Sequence, residues 1–141
     1  MTWVTWAILS ALFAGITAVL AKVGVENVNS SLATAIRTTV VLAITWAIVF
    51  VSVPAGAISL PGRRTLVFLG LSGLATGLSW LCYFRALQMG EVSRVAAVDK
   101  LSVVFAILLA AIFLRERLGW QHVVGGTLIV AGSLVLTWKS G

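Results

Sequence analysis

One carboxylate and four cations lie within or at the ends of long apolar runs: Asp99, Lys100, Arg37, Lys22 and Arg85. A charge at the middle of a membrane helix costs at least about 2.5–3.5 kcal/mol on insertion scales, so such groups face a partner or a wet cavity. An acid there can carry a coupling proton if its surroundings raise its pKa, and cations beside it can line a substrate path. A second set carries hydroxyls. Ser72, Thr76, Ser79 and Tyr83 are spaced four, three and four apart, which makes one helical stripe, with Trp80 beside it. The stripe suits a cavity wall for an organic solute. It equally suits hydrogen bonds between helices or back to a carbonyl. Trp6, Ser10 and Thr17, with Thr34, Thr38 and Thr45, would complete such a wall. Gly70, Gly73 and Gly77 occupy the adjoining face and permit close helix approach.

Other chemistry lacks its components. His122 is the only histidine, no two acids are neighbours, and no nucleophile has a base, so neither a catalytic site nor a metal site is expected. The single cysteine, Cys82, excludes an internal disulfide and a cysteine-based zinc site. No cofactor is expected. The net charge of +6 comes from basic residues scattered singly or in pairs, not from a basic face, so a nucleic-acid partner is excluded.

The elements that hold these residues follow from composition. Of 141 residues, 60% are hydrophobic and 10% charged, where a soluble domain carries about 25% charged. A globule of this size could not hide so much apolar surface, and disorder requires the opposite balance. The chain is an integral membrane protein whose first partner is the lipid bilayer. Runs 1–21, 65–84 and 118–138 carry no charge and each is long enough to cross unaided. The run ending at Val53 becomes a span when extended back to Ser31, which brings in Arg37. The run ending at Leu114 becomes one when extended back to Val92, which brings in Arg94, Asp99 and Lys100. Five helices are predicted, at about 3–24, 31–53, 65–88, 93–114 and 119–138. The first is too long and lacks the basic start of a secretory signal.

Five spans put the termini on opposite sides. Arg63, Arg64, Arg115 and Arg117 fall on the N-terminal side, called A; Lys22, Arg85, Arg94 and Lys139 fall on side B. The slight excess of loop-borne charge favours side A as cytoplasmic and leaves dual insertion open. Arg37 and Asp99 each lie about seven residues past a side-B helix start, roughly 10 Å deep. Two readings follow. Either they form an ion pair that fixes the second helix against the fourth, with Lys22 and Arg85 snorkelling to headgroups, or Asp99 and its cations line a pathway. Lys100 points about 100° away from Asp99 round an uninterrupted helix. Trp3, Trp120 and Trp138 read as interface anchors.

The third to fifth helices resemble a known family. Tyr83-Phe84-Arg85-Ala86-Leu87 and Gly90-Glu91-Val92-Ser93-Arg94-Val95-Ala96 are similar to the central part of an EamA-type domain of the drug/metabolite transporter superfamily. Phe105 to Leu114, the Arg115-Glu116-Arg117-Leu118 turn and the glycine-rich stretch from Gly125 to Gly132 continue the pattern. The resemblance implies an all-α membrane fold that is one half of a ten-helix inverted-repeat transporter, with a central cavity for metabolites or drugs. It departs from the related small multidrug transporters, because the first helix carries no membrane-embedded glutamate.

The expected function is a secondary transporter in the cytoplasmic membrane, moving a small organic metabolite or drug by alternating access. Asp99, Arg37 and Lys22 would supply charge; Trp6, Ser10, Thr76, Ser79, Trp80 and Tyr83 would shape the cavity. The excess of cations leans the substrate toward an anion or zwitterion. Secondary transporters use two repeats about a midplane site, so a homodimer is expected, possibly antiparallel, or pairing with a homologous five-helix chain. Ala106, Ala110, Gly125, Gly126 and Gly132 are candidate packing positions. The rival is a membrane scaffold or accessory subunit that transports nothing, with its charges mutually paired.

Overall fold

The computed structural model describes residues 2–57, 59 and 61–138. Lys139, counted among the side-B cations, lies outside the described residues. The chain forms α1 (Trp3–Val25), α2 (Ser30–Ser52), a 3₁₀ turn (Ala55–Ala57), α3 (Arg63–Met89), α4 (Val92–Asp99), α5 (Leu101–Phe113) and α6 (Trp120–Thr137). Taken with α4 and α5 as one, these give five spans long and apolar enough to cross a membrane, as the apolar runs predict. In the most apolar stretch of each span, between 0% and 11% of residues are buried. That much bare aliphatic surface is stable only against lipid or another protein.

Local chemistry sets the helix ends. Asn29 caps α2: its Oδ1 accepts from the Ser31 and Leu32 N–H groups at 2.9 and 3.4 Å. Beyond the end of α2, Pro54 opens a turn in which the Ala57 N–H donates to Pro54 O. The chain leaves α5 through Arg115 in the left-handed region (φ 55°), and the Glu116 N–H returns to Ala110 O at 3.3 Å. This is a helix stop of the kind usually built on glycine. At the start of α6 the Gly119 N–H donates to His122 Nδ1 at 3.1 Å, so the only histidine serves as a cap.

The fourth span differs from the expectation of one continuous helix. It breaks at Lys100, between α4 and α5. There the Lys100 N–H reaches back three residues to Ala97 O at 3.2 Å, which tightens the last turn of α4. The same carbonyl accepts from the Ser133 hydroxyl of α6 at 2.8 Å. Ala97 O thus accepts from two donors, and the second ties α4 to α6 at the break.

Two compact units make up the chain. One comprises residues up to Val19 and from Met89 onward; the other runs from Leu20 to Gln88. In the first, α4 and α5 both pack on α6, and Ala97, Gly126 and Ser133 are buried. In the second, Val25, Phe84 and Leu87 are buried where the ends of α1 and α3 meet.

Candidate functional site

The second unit brings several of the expected residues together. The Arg37 guanidinium of α2 lies over the Trp80 ring of α3, 4.1 Å from its centroid, and 5.5 Å from that of Phe84. Tyr83 lies within electrostatic range of the same group. Arg37, Trp80 and Phe84 are therefore one cluster, assembled from two helices. A cation over aromatic faces gains about 0.5–2 kcal/mol, depending on how far it is desolvated. That offsets part of the roughly 2.5–3.5 kcal/mol that an arginine costs at mid-helix.

Below this cluster the side-B ends of α1 and α3 are clasped. Lys22 Nζ of α1 donates to Leu87 O of α3 at 2.7 Å. In return Gln88 Nε2 donates to Val25 O at 3.0 Å and to Val28 O at 2.6 Å. Arg85 Nη1 donates to Gln88 Oε1 at 3.2 Å and holds that amide in register. The terminal carbonyls of a helix have no partner of their own, and here each helix end receives a donor from the other. Lys22 also sets a positive charge against two negative helix ends. Sequence reasoning did not single out Gln88, although a glutamine in the last turn of an apolar helix is a signal that could have found it.

The hydroxyl stripe on α3 divides. Thr76 Oγ1 donates back to Ser72 O at 2.9 Å. Ser79 is exposed on the same helix. Thr34, Thr38 and Thr45 of α2 likewise bond back to the carbonyls of Ser30, Thr34 and Val41. These threonines satisfy their hydroxyl protons within their own helices, as side chains in apolar surroundings do.

Trp6, Ser10 and Asp99 belong to the first unit. Trp6 and Ser10 are exposed on α1. Asp99 ends α4, and its Oδ2 lies 3.9 Å from Lys100 Nζ. Lys100 keeps helical backbone angles (φ −66°, ψ −13°), and its long side chain reaches the neighbouring carboxylate. Arg94 pairs with Glu91 one turn earlier, at 3.1 Å. Such exposed, local pairs contribute little to stability. Their consequence is placement: the only acid within the spans stands at the one interruption of a spanning helix among the described residues. Interrupted helices frequently form ion and substrate sites in transporters.

The first unit also holds a groove of about 300 Å³ between α5 and α6. Val104, Ile107 and Leu108 form one wall; His122, Gly126 and Thr127 form part of the other. None of the expected site residues lines it. Among the described residues there is no group of three or more His, Cys, Asp or Glu able to hold a metal ion.

Comparison with known proteins bears on this arrangement. Residues 1–138 match the EamA-like transporter family. A Sinorhizobium protein named "Uncharacterized transporter in cobO 3'region" is 51% identical over 136 residues, which is 96% of each chain. The "Probable terminal-alkyne amino-acid exporter" of Streptantibioticus cattleyicolor is 33% identical over the whole chain, which spans 44% of that longer protein. The "Probable 4-amino-4-deoxy-L-arabinose-phosphoundecaprenol flippase subunit ArnE" of Erwinia tasmaniensis is 37% identical over 76 residues, 53% of this chain and 70% of that one. No solved structure matches significantly. With five spanning helices and a family match over nearly its whole length, the chain is a multi-pass membrane protein that belongs to the EamA-like transporter family.

Proposed function

We propose that the protein is a secondary transporter of the cytoplasmic membrane that moves a small organic metabolite or drug by alternating access, working as a dimer. The observation that carries this reading is the pair of charged groups held inside apolar spans: Arg37 over Trp80 and Phe84, and Asp99 at the break between α4 and α5. Structural charges can be replaced by aliphatic side chains, whereas a transporter must keep them for its cargo or its coupling ion. The named relatives support an organic cargo, since one is named a probable terminal-alkyne amino-acid exporter and another a probable 4-amino-4-deoxy-L-arabinose-phosphoundecaprenol flippase subunit. Five spans are one repeat, and alternating access generally works between two. The bare surfaces of the helices support a second chain as well as lipid. That chain is an identical copy, antiparallel or parallel, or a homologous five-helix protein.

Membrane-impermeant thiol labelling tests the reading. In a Cys82→Ser background, Ser79→Cys and Ser102→Cys are expected to react from side B, because a transport cavity is wet. Absence of reaction at both positions from either side would sink the transporter. Asp99→Asn is expected to abolish transport into proteoliposomes while leaving the chain folded. A reporter fused to the C-terminus reads orientation: signal from both sides supports the antiparallel homodimer, and one fixed side excludes it. The second reading, an accessory subunit, draws on the flippase subunit among the relatives. It predicts that the purified chain alone moves nothing and that a partner restores activity.

A further inference from the structure

We propose that Arg37 forms an oxyanion site within the bilayer, which takes the carboxylate or phosphate group of the transported molecule. The inference rests on the transporter reading and adds the class of cargo. An arginine offers five N–H donors and can hold a carboxylate or phosphate by two parallel hydrogen bonds. The rings of Trp80 and Phe84 hold its charge, at 4.1 and 5.5 Å, but a ring face supplies no lone pair to those donors. Among the described residues of the unit from Leu20 to Gln88, no oxygen accepts a hydrogen bond from the Arg37 side chain. The group is also not sealed away, being half-buried.

Its depth argues against a lipid-surface role. Arg37 lies about seven residues from the start of α2 and Trp80 about nine from the end of α3, so the guanidinium stays roughly 10–13 Å inside side B. A snorkelling arginine would turn toward the headgroups; this one turns sideways onto a ring at its own level. Charge complementarity points the same way. The unit carries Lys22, Arg37, Arg63, Arg64 and Arg85 against a single acid, Glu26, which is exposed in the turn beyond α1. An anionic group entering from side B meets Lys22 and Arg85 first and Arg37 deepest, whereas a cation is repelled throughout.

Phenylglyoxal, which modifies accessible arginines, reads the site in the unaltered chain. The purified protein, in bilayers of phosphatidylcholine, is labelled in the presence of benzoate or of neutral benzamide at equal ionic strength. Modification at each arginine is then quantified by mass spectrometry. Benzoate is expected to slow modification of Arg37 by about threefold or more while benzamide does not, because only the carboxylate can engage two guanidinium donors. Arg64, which lies 6.0 Å from the Phe68 ring at the other end of α3, is the internal reference and keeps its rate. Equal rates with both compounds would overturn the proposal, as would an Arg37 that the reagent never reaches. Bilayers of phosphatidylglycerol separate the sources of the anion. Protection by that net-anionic lipid alone would assign the site to a lipid headgroup and overturn the proposal, whereas protection by benzoate in zwitterionic phosphatidylcholine assigns it to a solute. The labelling reads binding and not flux. Anion protection in a chain that transports nothing therefore refutes the transporter reading alone.

Discussion

Gln88 offers the sharpest test of how the helices are held. Its amide gives two hydrogen bonds to carbonyls of another segment, Val25 O at 3.0 Å and Val28 O at 2.6 Å, and receives one from Arg85. Side-chain hydrogen bonds in membrane proteins average about 0.6 kcal/mol and reach about 1.7. Two bonds lost in Gln88→Ala therefore cost about 1–3 kcal/mol. Gln88→Glu is more informative because it keeps the shape of the side chain. The carboxylate loses both donors and sets an anionic oxygen against two carbonyl oxygens. Its gain, an exposed pair with Arg85 on the same helix, is worth about 0.3–0.5 kcal/mol. Glutamate is thus expected to be less stable than alanine at this position. If Gln88 served only to fill space, the order would reverse. Equilibrium unfolding in mixed micelles, followed by far-ultraviolet circular dichroism, ranks the three proteins. A Gln88→Glu chain as stable as the parent, or an alanine variant within about 0.5 kcal/mol of it, would refute the clasp as a source of stability.

Ser133→Ala removes the hydroxyl that serves Ala97 O at the break of the fourth span. A loss of about 0.6–1.7 kcal/mol is expected in the same unfolding assay, with Ser133→Thr retaining most of it. Arg115→Gly relieves a side chain at φ 55° and is expected to stabilise by about 1 kcal/mol; a destabilised variant would contradict the left-handed stop. Arg37→Leu and Trp80→Leu are expected to be non-additive. Their double-mutant cycle should give about 0.5–2 kcal/mol of coupling if the cation is held by the ring, and none if the contact is incidental.

The five spans were legible because crossing a bilayer requires about 20 apolar residues, a property of consecutive sequence. The bounds predicted for the second helix, about 31–53, fall within a residue of the observed Ser30–Ser52, while its Asn29 cap came only with the structure. The order of motifs from Tyr83 to Gly132 pointed to the family, which the match over residues 1–138 establishes. Arg37 and Trp80 were each marked as unusual by type and position, but their meeting was not, since they come from two helices whose mutual rotation depends on packing.

What the sequence determined by itself is the class of protein, the number of spans and the identity of the polar residues within them. Those follow from composition and run length, which need no contacts. Only the tertiary structure decided the partners of those residues. The helix is interrupted beside Asp99 where the Ser133 hydroxyl, 36 residues away in the chain, takes up the Ala97 carbonyl. The ends of α1 and α3 are joined because Lys22 meets Leu87 O and Gln88 meets Val25 O across more than 60 residues of chain. A hydrogen bond needs its two groups within about 3 Å, and residues so far apart in sequence come that close only when the helices pack.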